Sequence, residues 1–272
     1  MTEMGREKKQ EDIPEVDYVD RNVVNIRSVP HVWDNQALTR LSLSHNKLTD
    51  IPPEIADLVN LEVLTLWNNQ ITELPTSIST LPRLKIFNVG MNRLTVLPRG
   101  FGSFPSLEIL DLTYNNLSEK SLPGNFFFIS TLRALYLGDN DFEMLPGDVR
   151  NLTNLQILVL RDNDLLVVPR ELGELVKLKE LHLQGNRLTT LPPELGALEL
   201  TSMKSVLRLQ HNPWVPGIQE QLDERGCIGV WEFIRTENYK YFYGRQEVSN
   251  TPVPPKRNKD RKVSRQTTKQ TC

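Results

Sequence analysis

The side chains best suited to chemistry are few and scattered. The four histidines are His31, His45, His182 and His211, and none stands at a metal-ligand spacing from a cysteine or carboxylate. Cys227 and Cys272 have no histidine placed to activate a thiolate, and the chain carries neither a phosphate loop nor a G-x-S-x-G elbow. Asp139 and Asp162 recur in GDND and RDND. Two carboxylates on neighbouring strands would be one arrangement for general acid–base work. At a strand spacing of about 4.8 Å, an acidic turn row is also an ordinary solvated feature. His182 and His211 fall near one edge of a strand face, where exposed imidazoles are expected. These residues argue against an enzyme, and no cofactor or metal is implied.

The elements that must position them repeat. LEILDLTYNNL (107–117) returns as LTRLSLSHNKL, LEVLTLWNNQI, LKIFNVGMNRL, LRALYLGDNDF, LQILVLRDNDL and LKELHLQGNRL. The asparagines at place nine are Asn46, Asn69, Asn92, Asn115, Asn140, Asn163 and Asn186, spaced by 23 residues with one step of 25. A weaker copy ends at Asn212, and EVDYVDRNV supplies a degenerate first turn with Arg21 at the asparagine place. This is the L-x-x-L-x-L-x-x-N-x-L pattern of leucine-rich repeats. A single repeat cannot bury its own leucines, so neighbours must stack and share one core.

Strand alternation turns places four and six inward and places three, five and seven to the other face. The asparagine, with donors and an acceptor, can satisfy backbone groups in the turn that follows. Second halves such as LPTSISTL, LPRGFGSF and VPRELGEL predict a short helix or extended turn after a proline. The longer step holds SLPGNFFFISTL, whose two extra residues must bulge on the convex side. The fold class expected is an α/β solenoid: a leucine-rich repeat arc with parallel strands on the concave face and a helical C-terminal cap. Its expected divisions are a disordered segment 1–13, the solenoid 14–212, the cap 213–246 and a disordered basic tail 247–272.

Charge is divided along the chain. Residues 249–272 hold seven Lys or Arg and one Asp, +6, which against the total of −2 leaves −2 − 6 = −8 elsewhere. An acidic solenoid is a poor nucleic-acid groove. The N-terminal MTEMGREKKQEDIPE has no apolar core and does not read as a secretory signal, and no run approaches the length of a membrane span. Two cysteines give no disulfide framework, which favours a reducing, cytoplasmic setting. Cys272 is the last residue and so does not form a prenylation box. KRNKDRK has the composition of a nuclear-import patch and equally of a solvated tail. The aromatics from Val230 to Phe242 read as a cap over the open solenoid end, with a second docking site as the sharper alternative.

The outward face is the informative surface. Place five runs Ser42, Thr65, Asn88, Asp111, Tyr136, Val159, His182 and Arg208; place seven includes Trp67, Gly90, Gly138 and Arg161. Place three is apolar through the middle. Aromatics and arginine are enriched among interface hot spots, and apolar rows often mark binding sites. Asp111, Tyr136 and Arg161 are expected at the centre of a partner site. Trp67 and Asn88 should lie on its N-terminal side, with Tyr114 and His182 on the same face.

The segments LSHNKLT, GMNRL, LPRGFGS, LDLTYNNL, SLPGNFF, TLRALYL, DNDFE and YKYFYGR carry a closer resemblance. Over roughly residues 14–245 the chain resembles the Ras suppressor family of intracellular leucine-rich repeat proteins. That resemblance implies a monomeric adaptor that binds a LIM domain of PINCH. Through PINCH it would join integrin-linked kinase and parvin at focal adhesions and dampen Ras-linked signalling. It implies no membrane insertion. Other intracellular repeat proteins with LPxxI halves scaffold a small GTPase or a phosphatase subunit, and that reading stays open here. An enzyme regulator or hydrolase is the remote one.

Overall fold

A computed structural model describes residues 14–246 and 254–256. Among the described residues, nine three-residue strands form one parallel sheet in strict chain order. They are β1 (Glu15–Asp17), β2 (Arg40–Ser42), β3 (Val63–Thr65), β4 (Ile86–Asn88), β5 (Ile109–Asp111), β6 (Ala134–Tyr136), β7 (Ile157–Val159), β8 (Glu180–His182) and β9 (Val206–Arg208). Places three, four and five of every repeat pair in register, as in Asn88 with Asp111 and Asp111 with Tyr136. The degenerate first copy is a true strand, and the weak copy at Asn212 is another.

Inward residues make the core. Leu110, Leu112, Leu135, Leu137, Leu158 and Leu160 are 0% exposed. Removing such a side chain from water is worth about 1.5–3 kcal/mol each. The asparagines knit the repeats together. Asn163 Oδ1 accepts from Phe142 N at 3.1 Å, while its Nδ2 donates to Leu137 O at 2.9 Å and Leu160 O at 3.1 Å. The pattern holds from Asn46 to Asn212. Asn46 accepts the usual N–H, from Val23, and carries one more, from Arg21, which stands where the first repeat has no asparagine.

The residue before each ladder asparagine is left-handed throughout: His45, Asn68, Met91, Tyr114, Asp139, Asp162 and His211 have φ between 51° and 59°, and Gly185 has φ 74°. Such a backbone costs a non-glycine residue on the order of 1 kcal/mol or more. What it gains is continuity, since Tyr114 N still donates to Gly138 O at 2.9 Å and Met91 N to Thr113 O at 2.7 Å.

The second halves form 3-10 turns rather than α-helices, such as Thr76–Thr80 and Arg170–Glu174, each entered through a proline. The 25-residue step holds two such turns, Glu119–Ser121 and Phe126–Phe128. Phe126 packs parallel to Phe101 at 6.1 Å, whereas Phe128 is 62% exposed. The cap comprises α1 (Pro216–Ile234), broken at Gly226 by φ 67°, and α2 (Glu237–Gln246). Trp231 Nε1 donates to Leu198 O at 3.0 Å, and the Tyr239 hydroxyl donates to Leu191 O at 2.6 Å. Both rings are buried, so Trp231 belongs to the core and cannot anchor a partner. Residues 1–13, and most of the tail expected to be disordered, lie outside the described residues.

Candidate partner-binding surface

Two rows of side chains build the surface, and the sheet fixes both. At place five, Asn88, Asp111, Tyr136, Val159 and His182 stand side by side on β4 to β8. The ladder leaves the place-seven N–H unpaired, and acids or amides at place five supply the acceptor. Asp111 Oδ1 takes Thr113 N at 2.9 Å, and Asn88 Oδ1 takes Gly90 N at 3.0 Å. Burial pushes the Asp111 carboxyl up, against the opposing pull of Thr113 and Arg161. Oδ1 of Asp111 is therefore structural, and the Thr113 side chain also supports the carboxylate.

The other row holds the larger assembly. Trp67 packs edge-on to Tyr114, centroids 5.8 Å apart at 82°. The Arg161 guanidinium lies 5.1 Å from the same ring centre, with Nη2 donating to the Tyr114 hydroxyl at 2.7 Å and Nη1 pairing with Asp162 at 2.9 Å. Burial works against the Arg161 charge, but Tyr114 and Asp162 outweigh it and hold its pKa up. Tyr114 is thus the hub, reached by Trp67 from one side and Arg161 from the other. Its left-handed backbone is what aims the ring there.

Gly90 and Gly138 make this possible. A Cβ on Gly90 would stand 2.4 Å from Trp67 Cζ3, and one on Gly138 would stand 3.1 Å from Arg161 Cγ. Each glycine is the bed on which a long neighbour lies flat. The sequence shows both at place seven, yet nothing in a place-by-place reading says that an absent side chain is the functional feature. A glycine beside a Trp or Arg in the same column is the signal that would have found them.

The seven expected residues, Trp67, Asn88, Asp111, Tyr114, Tyr136, Arg161 and His182, all fall on this face. Two expectations about neighbouring groups fail. His182 is not an exposed imidazole: its side chain is 21% exposed, 3.8 Å from Glu180, and its Nε2 makes no hydrogen bond among the described residues. Burial lowers its pKa, with Glu180 opposing. Asp139 is not solvated either, at 4% exposure, because the tight turn folds it beneath the rim. Val63, Thr113, Ala134 and Val159 face the partner side but are covered by larger neighbours. Burial also raises the Tyr136 pKa, helped by the charges of Glu180 and Asp111.

Among the described residues no three His, Cys, Asp or Glu side chains gather as a metal site, and no helix is long and apolar enough to cross a membrane. A stacked parallel sheet with an asparagine ladder defines the class: this is a leucine-rich repeat protein. Models of a leucine-rich repeat region and of a leucine-rich repeat match residues 17–124 and 130–188. A leucine-rich repeat protein of Leptospira interrogans shares the architecture with TM-score 0.61 and 34% identity, over 66% of this chain and 45% of that one. The chain is 67% identical to Ras suppressor protein 1 of Homo sapiens and 68% identical to that of Bos taurus, in each case over 97% of this chain and 95% of the relative. It belongs to the Ras suppressor family.

Proposed function

We propose that the chain is a non-catalytic adaptor of Ras-linked signalling whose concave face receives a LIM domain of the PINCH type. The observation that carries this reading is the prearranged Trp67–Tyr114–Arg161 assembly beside Asp111 and Tyr136. Rigid aromatics and a guanidinium held by neighbours lose little entropy on binding, which is the condition for hot spots. The named relatives, called Ras suppressors, support the signalling context. LIM domains present basic and polar loops around their zinc sites, which suits the carboxylate of Asp111 and the hydroxyl of Tyr136. Through PINCH the protein would join integrin-linked kinase and parvin in cytoplasmic adhesion complexes.

Titration against the last LIM domain of PINCH tests it. The triple variant Asp111→Ala/Tyr136→Ala/Arg161→Ala should stay folded and lose binding, while each single change weakens it by about 1 kcal/mol or more. Arg170→Ala and Glu174→Ala, on the convex turn, should be neutral. A folded triple variant that binds as tightly as the parent sinks the concave-face assignment, and small GTPases would be titrated next.

A further inference from the structure

The rim just past the strands holds a second built arrangement. Asp164 and Arg187 follow the ladder asparagines of adjacent repeats, and both are almost wholly buried, at 1% and 5% exposure. Charged side chains are rarely buried without a partner. Arg187 has one from far along the chain: its Nε donates to Pro254 O at 2.9 Å, and Nη2 donates to the same oxygen. Two residues on, Lys256 Nζ pairs with Glu143 Oε1. Asp164 Oδ1 and Arg187 Nη1 are left without hydrogen bonds among the described residues.

The chemistry of the occupant matches. Proline offers a carbonyl and no N–H, and a proline pair holds the backbone extended with that carbonyl turned outward. A guanidinium fork reads such an oxygen with two donors. Pro255 then sets a fixed offset to the ammonium of Lys256, which meets the acidic side of the rim. We propose that Glu143, Asp164 and Arg187 form a receptor for an extended Pro-Pro-Lys segment. The chain's own Pro254–Lys256 fills it, tying the basic tail back to the repeats of β6 to β8. Pro254–Lys256 is then an intramolecular ligand of the repeats.

Limited trypsin digestion of the full chain tests this, with cleavage after Lys262 as the internal clock. Lys256 held on Glu143 is withheld from the protease, so wild type should be cut there slowly. Glu143→Gln should speed that cut by about threefold or more, the scale set by loss of a partly exposed ion pair, without changing the clock. Arg187→Gln should do the same, with its melting temperature measured alongside, and Glu174→Gln should do nothing. Equal cleavage in wild type and Glu143→Gln overturns the receptor. Protection that grows with protein concentration would put the tail on a second copy and overturn its intramolecular form.

Discussion

Asn163 carries more of the fold than its size suggests. Alanine there would strand one N–H and two or more carbonyls that are buried in the turn. Each stranded group costs about 1–3 kcal/mol, so Asn163→Ala should destabilise by roughly 2 kcal/mol or more in urea unfolding. An unchanged midpoint would remove the ladder from the account. Asp111 is different because its carboxylate serves the backbone of its own turn as well as the partner surface. Asp111→Asn keeps the acceptor for Thr113 N while deleting a charge that burial disfavours, so stability should hold or rise slightly as LIM-domain binding falls. His182 gives a pH test. Its folded pKa lies below the unfolded value of about 6.5, so below that value the unfolded chain takes up more protons and stability falls with pH. Melting measured from about pH 7 down to about pH 5 should show this decline, and His182→Gln should flatten it.

At the scale of elements, the flat-lying side chains depend on what the neighbouring strand omits. Gly90→Ala would drive a methyl into the Trp67 ring, and the ring must leave the Tyr114 edge. Overpacking of this kind costs about 1–3 kcal/mol, and the tryptophan emission should shift with it. Binding should weaken although position 90 is itself covered. The cap presents the same lesson in its polar atoms. Tyr239→Phe removes the hydroxyl that both accepts from Leu191 N and donates to Leu191 O, leaving both buried. A loss of about 1–3 kcal/mol is expected, read as an earlier unfolding midpoint.

Across the whole molecule, one repeating constraint propagates from β1 to β9. The inward leucines, the ladder asparagines and the parallel register were legible in the sequence because stacking makes each repeat solve the same burial problem at the same places. So was the membership of Trp67, Asp111, Tyr136 and Arg161 in one face, since alternation along a strand is a local rule. Three features were decided only in three dimensions. The 3-10 geometry of the second halves follows from how closely successive turns pack, which a proline and a few apolar residues do not specify. Tyr114 became the hub because a left-handed turn swings its ring over the face, and because Gly90 and Gly138 clear the path for residues 47 positions away on the Arg161 side. Pro254–Lys256 reached Arg187 and Glu143 from the far end of the chain. The sequence by itself determined every contact whose partner sits at a fixed period. Contacts that cross that period, between side chains of unlike size or between the tail and the rim, depend on the shape of the space between them, and only the tertiary structure supplies it.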